Sequence, residues 1–133
     1  MNTVQRIDPD EAKTRLDSGE GYVYIDVRTE EEYRGGHIPS AVNIPFFVAN
    51  PQGPGMLANP EFLSEVEGKF PQDSKLIVGC QRGGRSLKAC QFLISRDYTN
   101  VVDMRGGYDG ELDPAGNLTF PGWARRGLPT TKD

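Results

Sequence analysis

Short apolar runs alternating with amphipathic stretches organise this chain. The run Tyr22-Val23-Tyr24-Ile25-Asp26-Val27 is β-branched and aromatic and turns polar only near its end. That predicts a strand buried on both faces, as in a parallel sheet. Residues 75–79 form the most apolar run and are expected at the centre of the sheet. Val101-Val102-Asp103-Met104 and the brief Ala41-Val42-Asn43-Ile44, stopped by Pro45, predict two further strands.

Between these runs the apolar spacing changes to three and four. Residues 7–18 read as a helix, with Asp8 as N-cap, Pro9 at the first position, Glu11 at the capping-box position and Ala12 and Leu16 on one face. Gly19 and Gly21 end it. Residues 60–69 read as a second helix, with Asn59 as cap and Phe62, Leu63 and Val66 inside. Residues 85–96 read as a third, with Leu87, Cys90, Leu93 and Ile94 on one side. Thr29-Glu30-Glu31-Glu32-Tyr33 predicts a capped turn with acids at its positive end, and residues 122–126 a last turn. Residues 49–58 and 108–121, rich in Pro and Gly, read as loops. Alternating strands and helices give an α/β class with a mostly parallel sheet and no internal repeat.

In such sheets ligands sit at the carboxyl ends of strands. Cys80 follows the central strand there and opens the run Cys80-Gln81-Arg82-Gly83-Gly84-Arg85-Ser86 ahead of a helix. Gly83 and Gly84 are able to take positive φ, so that successive amides face inward. The helix N-terminus adds positive potential at the same spot. The expectation is an anion-binding cup with a thiol at its floor, held as the reactive thiolate near neutral pH. Arg85, a cation at a helix start, opposes the helix dipole unless an anion compensates, and is read as an anion ligand. Arg82, at the loop tip, is read as a guide for anionic donors. Gln81 and Ser86 are expected to contribute backbone N–H groups, Ser86 also as a cap. Asp26 is assigned to orienting the loop, and Arg28 to a pair with Glu31 or Glu32. Cys90 reads as core packing and His37 as a hydrogen-bonded structural histidine. Cys80 and Arg85 are spaced Cys-x4-Arg. A tetrahedral phosphate needs the wider ring of Cys-x5-Arg, and Ser86 stands where that arginine would be, so the spacing favours sulfur over phosphorus.

Composition narrows the partners. The chain has 133 residues, the size of one domain spanning 1–133, with 15 basic and 19 acidic residues and a formal net charge of −4. With no basic stripe, neither nucleic acid nor an anionic membrane is an expected partner. No apolar stretch approaches a membrane span, and the first residues lack the pattern of a secretory signal. Two cysteines make no disulfide framework, and a single histidine excludes the usual zinc patterns, so a metal-free protein of the reducing cytoplasm is expected.

Asp26-Val27-Arg28, Glu31-Glu32-Tyr33 and Gly36-His37-Ile38-Pro39-Ser40-Ala41-Val42-Asn43-Ile44-Pro45 together resemble the first signature of the rhodanese domain. Cys80 to Ser86 resembles its active-site loop, and Gly106-Gly107-Tyr108 and Gly127-Leu128-Pro129 its closing elements. The match runs in order over essentially the whole chain. The resemblance implies a rhodanese-like α/β fold, a central, mostly parallel five-stranded sheet flanked by helices on both faces. It implies a cofactor-free thiosulfate sulfurtransferase in which Cys80 carries a persulfide, Gln81 to Ser86 bind substrate, and Asp26 and Arg28 support them. The donor would be a small sulfur anion, and the acceptor cyanide or a thiol, including that of a thioredoxin-like protein. A persulfide relay, a protein-binding module and, further off, a phosphatase or arsenate reductase remain the alternatives. Residues 109–121 depart from the shortest family members, leaving open a flap with Tyr108, Phe120 or Trp123 at the pocket, or a surface loop.

Overall fold

The computed structural model describes residues 3–133. Its elements are β1 (Gln5–Ile7), α1 (Pro9–Leu16), β2 (Val23–Asp26), α2 (Glu30–Arg34), β3 (Val42–Asn43), β4 (Phe47–Ala49), β5 (Met56–Ala58), α3 (Phe62–Lys69), β6 (Leu76–Gly79), α4 (Gly84–Ser95), β7 (Val101–Met104), β8 (Gly110–Leu112) and β9 (Leu118–Pro121), followed by a 3₁₀ turn at Ala124–Arg126. Five strands form one parallel sheet in the order β1-β7-β6-β2-β3. The most apolar strand, β6, is the middle one, as its composition requires.

Strand alternation divides the core into two layers. Ile25, Leu76 and Val78 pack with Phe62 and Val66 of α3 and with Ala89, Cys90 and Leu93 of α4. Tyr24, Ile77, Val102 and Met104 pack on the other face with Ala12 of α1 and with Trp123. The sheet is therefore covered on both sides, and each fully buried aliphatic contributes about 1.5–3 kcal/mol.

The helix signals acted locally as predicted, with small shifts. Asp8 caps α1 by accepting from the Glu11 amide at 2.8 Å. The Glu11 carboxylate turns to Arg15 at 2.9 Å instead of closing the box. A complete capping box forms at Thr29 and Glu32, which starts α2. Asn59 does not cap α3; its side chain accepts from the Glu61 amide just before the helix, at 3.0 Å.

Three elements differ from the sequence expectation. The fifth sheet strand is β1, of which only Ile7 is buried, so it carries no apolar run. Residues 49–58 are not wholly loop, because Phe47–Ala49 and Met56–Ala58 pair as an antiparallel hairpin. Residues 108–121 contain a second hairpin, β8 with β9. Its alternating small, acidic and apolar residues are only partly buried, so it shows no burial period.

Candidate active site

Cys80 stands immediately after β6, at the carboxyl edge of the sheet, and is 2% exposed. Its Sγ receives the Gly83 amide at 3.1 Å and the Ser86 amide at 3.4 Å. Gly83 is the N-cap of the twelve-residue α4 with φ +112°, a left-handed conformation that favours glycine. Of the two loop glycines only Gly83 takes positive φ; Gly84 already belongs to the helix. The first N–H groups of a helix have no carbonyl partner inside it, and two of them here, those of Gly83 and Ser86, bond the sulfur.

The loop is shaped from outside as well. Tyr108 donates its amide to Cys80 O at 2.8 Å and Asp109 donates to Gln81 O at 3.0 Å. These bonds turn the first two carbonyls of the loop away from the sulfur and onto the chain after β7. Gly107 makes the approach feasible, since a Cβ there would stand 2.3 Å from Cys80 O.

Arg28 does not pair with Glu31 or Glu32. Its guanidinium grips Asp26 at 2.8–3.1 Å, donates to Gln81 Oε1 at 3.0 Å and to Gly36 O at 2.7 Å, and lies over the Tyr108 ring at 4.4 Å. Both charged side chains are 3% exposed. Burial works to lower the Arg28 pKa, but the hydrogen bonds and charge of Asp26 outweigh it and raise the group above its ordinary value. Asp26 reaches the loop through Arg28 and the Gln81 side chain. Gln81 thus meets its neighbours through its side chain and carbonyl, and its amide is not among the donors to Sγ.

The guanidinium of Arg85 holds Glu32 in a two-pronged pair at 2.7 and 2.9 Å. Its expected anion is thus a protein carboxylate in this structure. Burial alone would raise the Glu32 pKa, but Arg85 and the Thr29 cap override it and lower the carboxyl from 4.5 to about 2. A depressed carboxyl stabilises the fold above its unfolded value and loses that contribution as pH falls from about 4.5 through about 2. Glu32→Gln is expected to remove this acid-range loss and, at neutral pH, to lower the thermal midpoint by about 3–4 °C, for a part-exposed pair worth ~1 kcal/mol. Thermal melts of both proteins across that pH range check it; parallel curves would exclude the pair as the source.

Arg82 is half-exposed. It donates to Gly110 O at 3.0 Å and sits 3.1 Å from Asp109, which also pairs with Arg125. Residues 109–121 are therefore rooted against the active loop and do not lie on a distant surface. Of the three aromatic candidates for the pocket wall, only Tyr108 is there, in a 270 Å³ pocket with Arg28, Glu32, Gly35, Gly36 and Gln81. Phe120 packs under Arg105 and Arg126, and Trp123 is in the core.

Two residues outside the motif join the site. Asp103 of β7 accepts from Ser86 Oγ at 2.5 Å and from Arg6 of β1 at 2.8 Å, with no exposure. A charge inside the apolar run 101–104 was the available signal. His37 hydrogen-bonds Tyr33 O through Nδ1 at 2.8 Å and stacks on the Tyr33 ring at 3.6 Å, and burial pushes the Cys90 thiol far up, so neither is poised for chemistry. Among the described residues no three His, Cys, Asp or Glu side chains gather as metal ligands, and no helix is long and apolar enough to cross a membrane.

Residues 8–111 match the family described as Rhodanese-like domain. The chain is 43% identical over 110 residues to "Thiosulfate sulfurtransferase 16, chloroplastic" of Arabidopsis thaliana, covering 83% of this chain and 80% of that one. It is 39% identical over 113 residues to "Protein HIGH ARSENIC CONTENT 1, mitochondrial" of the same species, covering 85% and 64%. The crystal structure of Rv0390 from M. tuberculosis superposes with a TM-score of 0.80 at 26% identity, covering 99% of this chain and 100% of that one.

Proposed function

The chain belongs to the rhodanese-like domain family, and from that premise we propose that it is a thiosulfate-type sulfurtransferase with Cys80 as the sulfur carrier. One observation carries the reading: Sγ lies at the focus of the Gly83 and Ser86 amides, in a loop whose Cys-x4-Arg spacing is one residue short of a phosphate ring. The Cys80 thiolate attacks the outer sulfur of thiosulfate. A new S–S bond forms, the old one breaks, and sulfite leaves with the bonding electron pair. Cyanide or a thiol then attacks the outer sulfur of the persulfide, and Cys80 departs as a thiolate. This is two-step covalent catalysis in which sulfur is both nucleophile and leaving group, so no cofactor enters. Amide donors that already hold Sγ serve the anionic sulfur in both halves, with little reorganisation.

The test is the intact mass after incubation with thiosulfate. A gain of one sulfur atom, lost again on adding cyanide, is the expected result. No adduct with thiosulfate or with a persulfide donor would overturn the reading. The arsenic-named relative makes arsenate the oxyanion to assay beside it; arsenate turnover without sulfur transfer would transfer the site to that chemistry.

Arg82 carries a narrower prediction. Its charge stands half-exposed at the loop rim, where it attracts a doubly charged donor by long-range steering. Arg82→Ala is expected to raise KM for thiosulfate about threefold or more with kcat little changed, and to leave KM for an uncharged persulfide donor nearly as it was. Equal rises for both donors would show that the residue acts by holding the hairpin.

A further inference from the structure

A line of buried polar atoms runs beneath Cys80 that the sulfur-transfer steps do not use. Cys80 Sγ lies 3.4 Å from Ser86 Oγ, and Ser86 Oγ lies 2.5 Å from Asp103 Oδ1. Asp103 Oδ2 accepts from Arg6 Nε at 2.8 Å. Ser86 and Asp103 are both 0% exposed. A hydroxyl has one proton to give and two lone pairs to accept with. So close to a carboxylate, the Ser86 proton points at Asp103, ahead of the weaker option of Gly83 O at 3.3 Å. Its lone pair is then turned toward Cys80, and the donor order reads Cys80 to Ser86 to Asp103.

We propose that Asp103 is the proton acceptor for Cys80, acting through the Ser86 hydroxyl as a buried positioning pair. The Cys80 S–H proton passes to Ser86 Oγ while the Ser86 proton passes to Asp103 Oδ1. The S–H bond breaks, an O–H bond forms on the carboxyl, and thiol plus carboxylate become thiolate plus neutral acid, with no other reactant. Arg6 stays on Oδ2 throughout. When the acceptor has taken the sulfur and Cys80 departs, the same path returns the proton. This step deepens the sulfurtransferase reading and rests on it for its purpose, but not for its test.

The surroundings suit the role. The titratable or charged groups facing Asp103 are Arg6 on β1, Tyr24 on β2, Cys90 on α4 and Glu111 on β8, besides Cys80 itself. Of these only Arg6 bonds the carboxyl directly. Burial raises the Asp103 pKa above its ordinary value, against the pull of Ser86 and Arg6, so its carboxylate is a better proton acceptor than a surface one. His37, the other conceivable base, is engaged by Tyr33.

The experiment is the rate of Cys80 alkylation by iodoacetamide from roughly pH 5 to 9, read by peptide mass so that Cys90 is counted separately. Asp103→Asn and Ser86→Ala are each expected to move the acid limb of the rate profile to higher pH and to slow alkylation at pH 7 by about tenfold or more. The double variant should be no slower than the worse single one, as for two members of one relay. Wild-type profiles in both variants would overturn the proposal. Alkylation of Cys90 in Asp103→Asn would mark an opened fold, and Ser86→Ala then decides alone. Iodoacetamide carries no sulfur to transfer, so a failed relay and a failed sulfurtransferase reading give different results.

Discussion

Cys80→Ala is expected to lower thiocyanate formation from thiosulfate and cyanide by at least about 1,000-fold while leaving the protein folded. The effect is large because, in the proposed reaction, this sulfur carries the covalent intermediate. The other cysteine, Cys90, is not placed to take over: it is 0% exposed, inside the core with Leu93 and Ala89, and burial holds its thiol protonated. The fold should survive because the substitution removes one buried sulfur and leaves a cavity smaller than a methylene pair, a loss of about 1 kcal/mol. Cys80→Ser is the sharper form of the same prediction. It keeps an atom for the Gly83 and Ser86 amides to bond, but a neutral hydroxyl attacks sulfur poorly, so it should be equally inactive and closer to wild type in stability. Thiocyanate production at wild-type rate by either variant would take the chemistry away from Cys80.

Arg28→Met is expected to cost about 3–5 kcal/mol of stability, as for breaking a buried ion pair by removing one partner. Desolvation sets the size of the loss. Asp26 and Arg28 are each 3% exposed and satisfy one another through three contacts at 2.8–3.1 Å. Removing the cation strands a buried carboxylate and also frees the Gly36 carbonyl and the Gln81 side chain. Urea unfolding measures the loss. The double variant Asp26→Asn with Arg28→Met should recover part of it, because the stranded charge is gone, and any enzyme that remains folded should still be slow, since Gln81 has lost its tether. A single-variant loss within about 1 kcal/mol of wild type would mean that water reaches the pair.

These two sites also mark how much could be read in advance. Cys80, its glycines and the helix after it lie within one stretch of chain, so their chemistry is written in neighbouring letters, and the strand before it announces itself by apolar content. Partner choice among the arginines is different. Arg28 has several acids close in sequence, while Arg82 and Arg85 have none between Asp73 and Asp97; the distant acids those two meet depend on how α2 and the β8–β9 hairpin are laid against the loop. Asp103 approaches the sulfur because β7 lies beside β6, and Arg6 joins it because β1 lies beside β7. β1 itself shows one buried residue in three, too little for a period to appear. The hairpins failed to show for a related reason: each has strands of three or four residues with mixed exposure, shorter than the window in which alternation becomes a signal.

The two hydrogen bonds that the Tyr108 and Asp109 amides donate to the carbonyls of Cys80 and Gln81 set an order of assembly. A nascent chain that has just completed α4 already contains every letter of the motif and the whole of its sulfur-side helix. It lacks β7, which brings Asp103, and the two amides that turn the loop carbonyls outward. The fourteen residues from Arg96 to Asp109 must therefore be added and docked before the loop around Cys80 takes its finished shape.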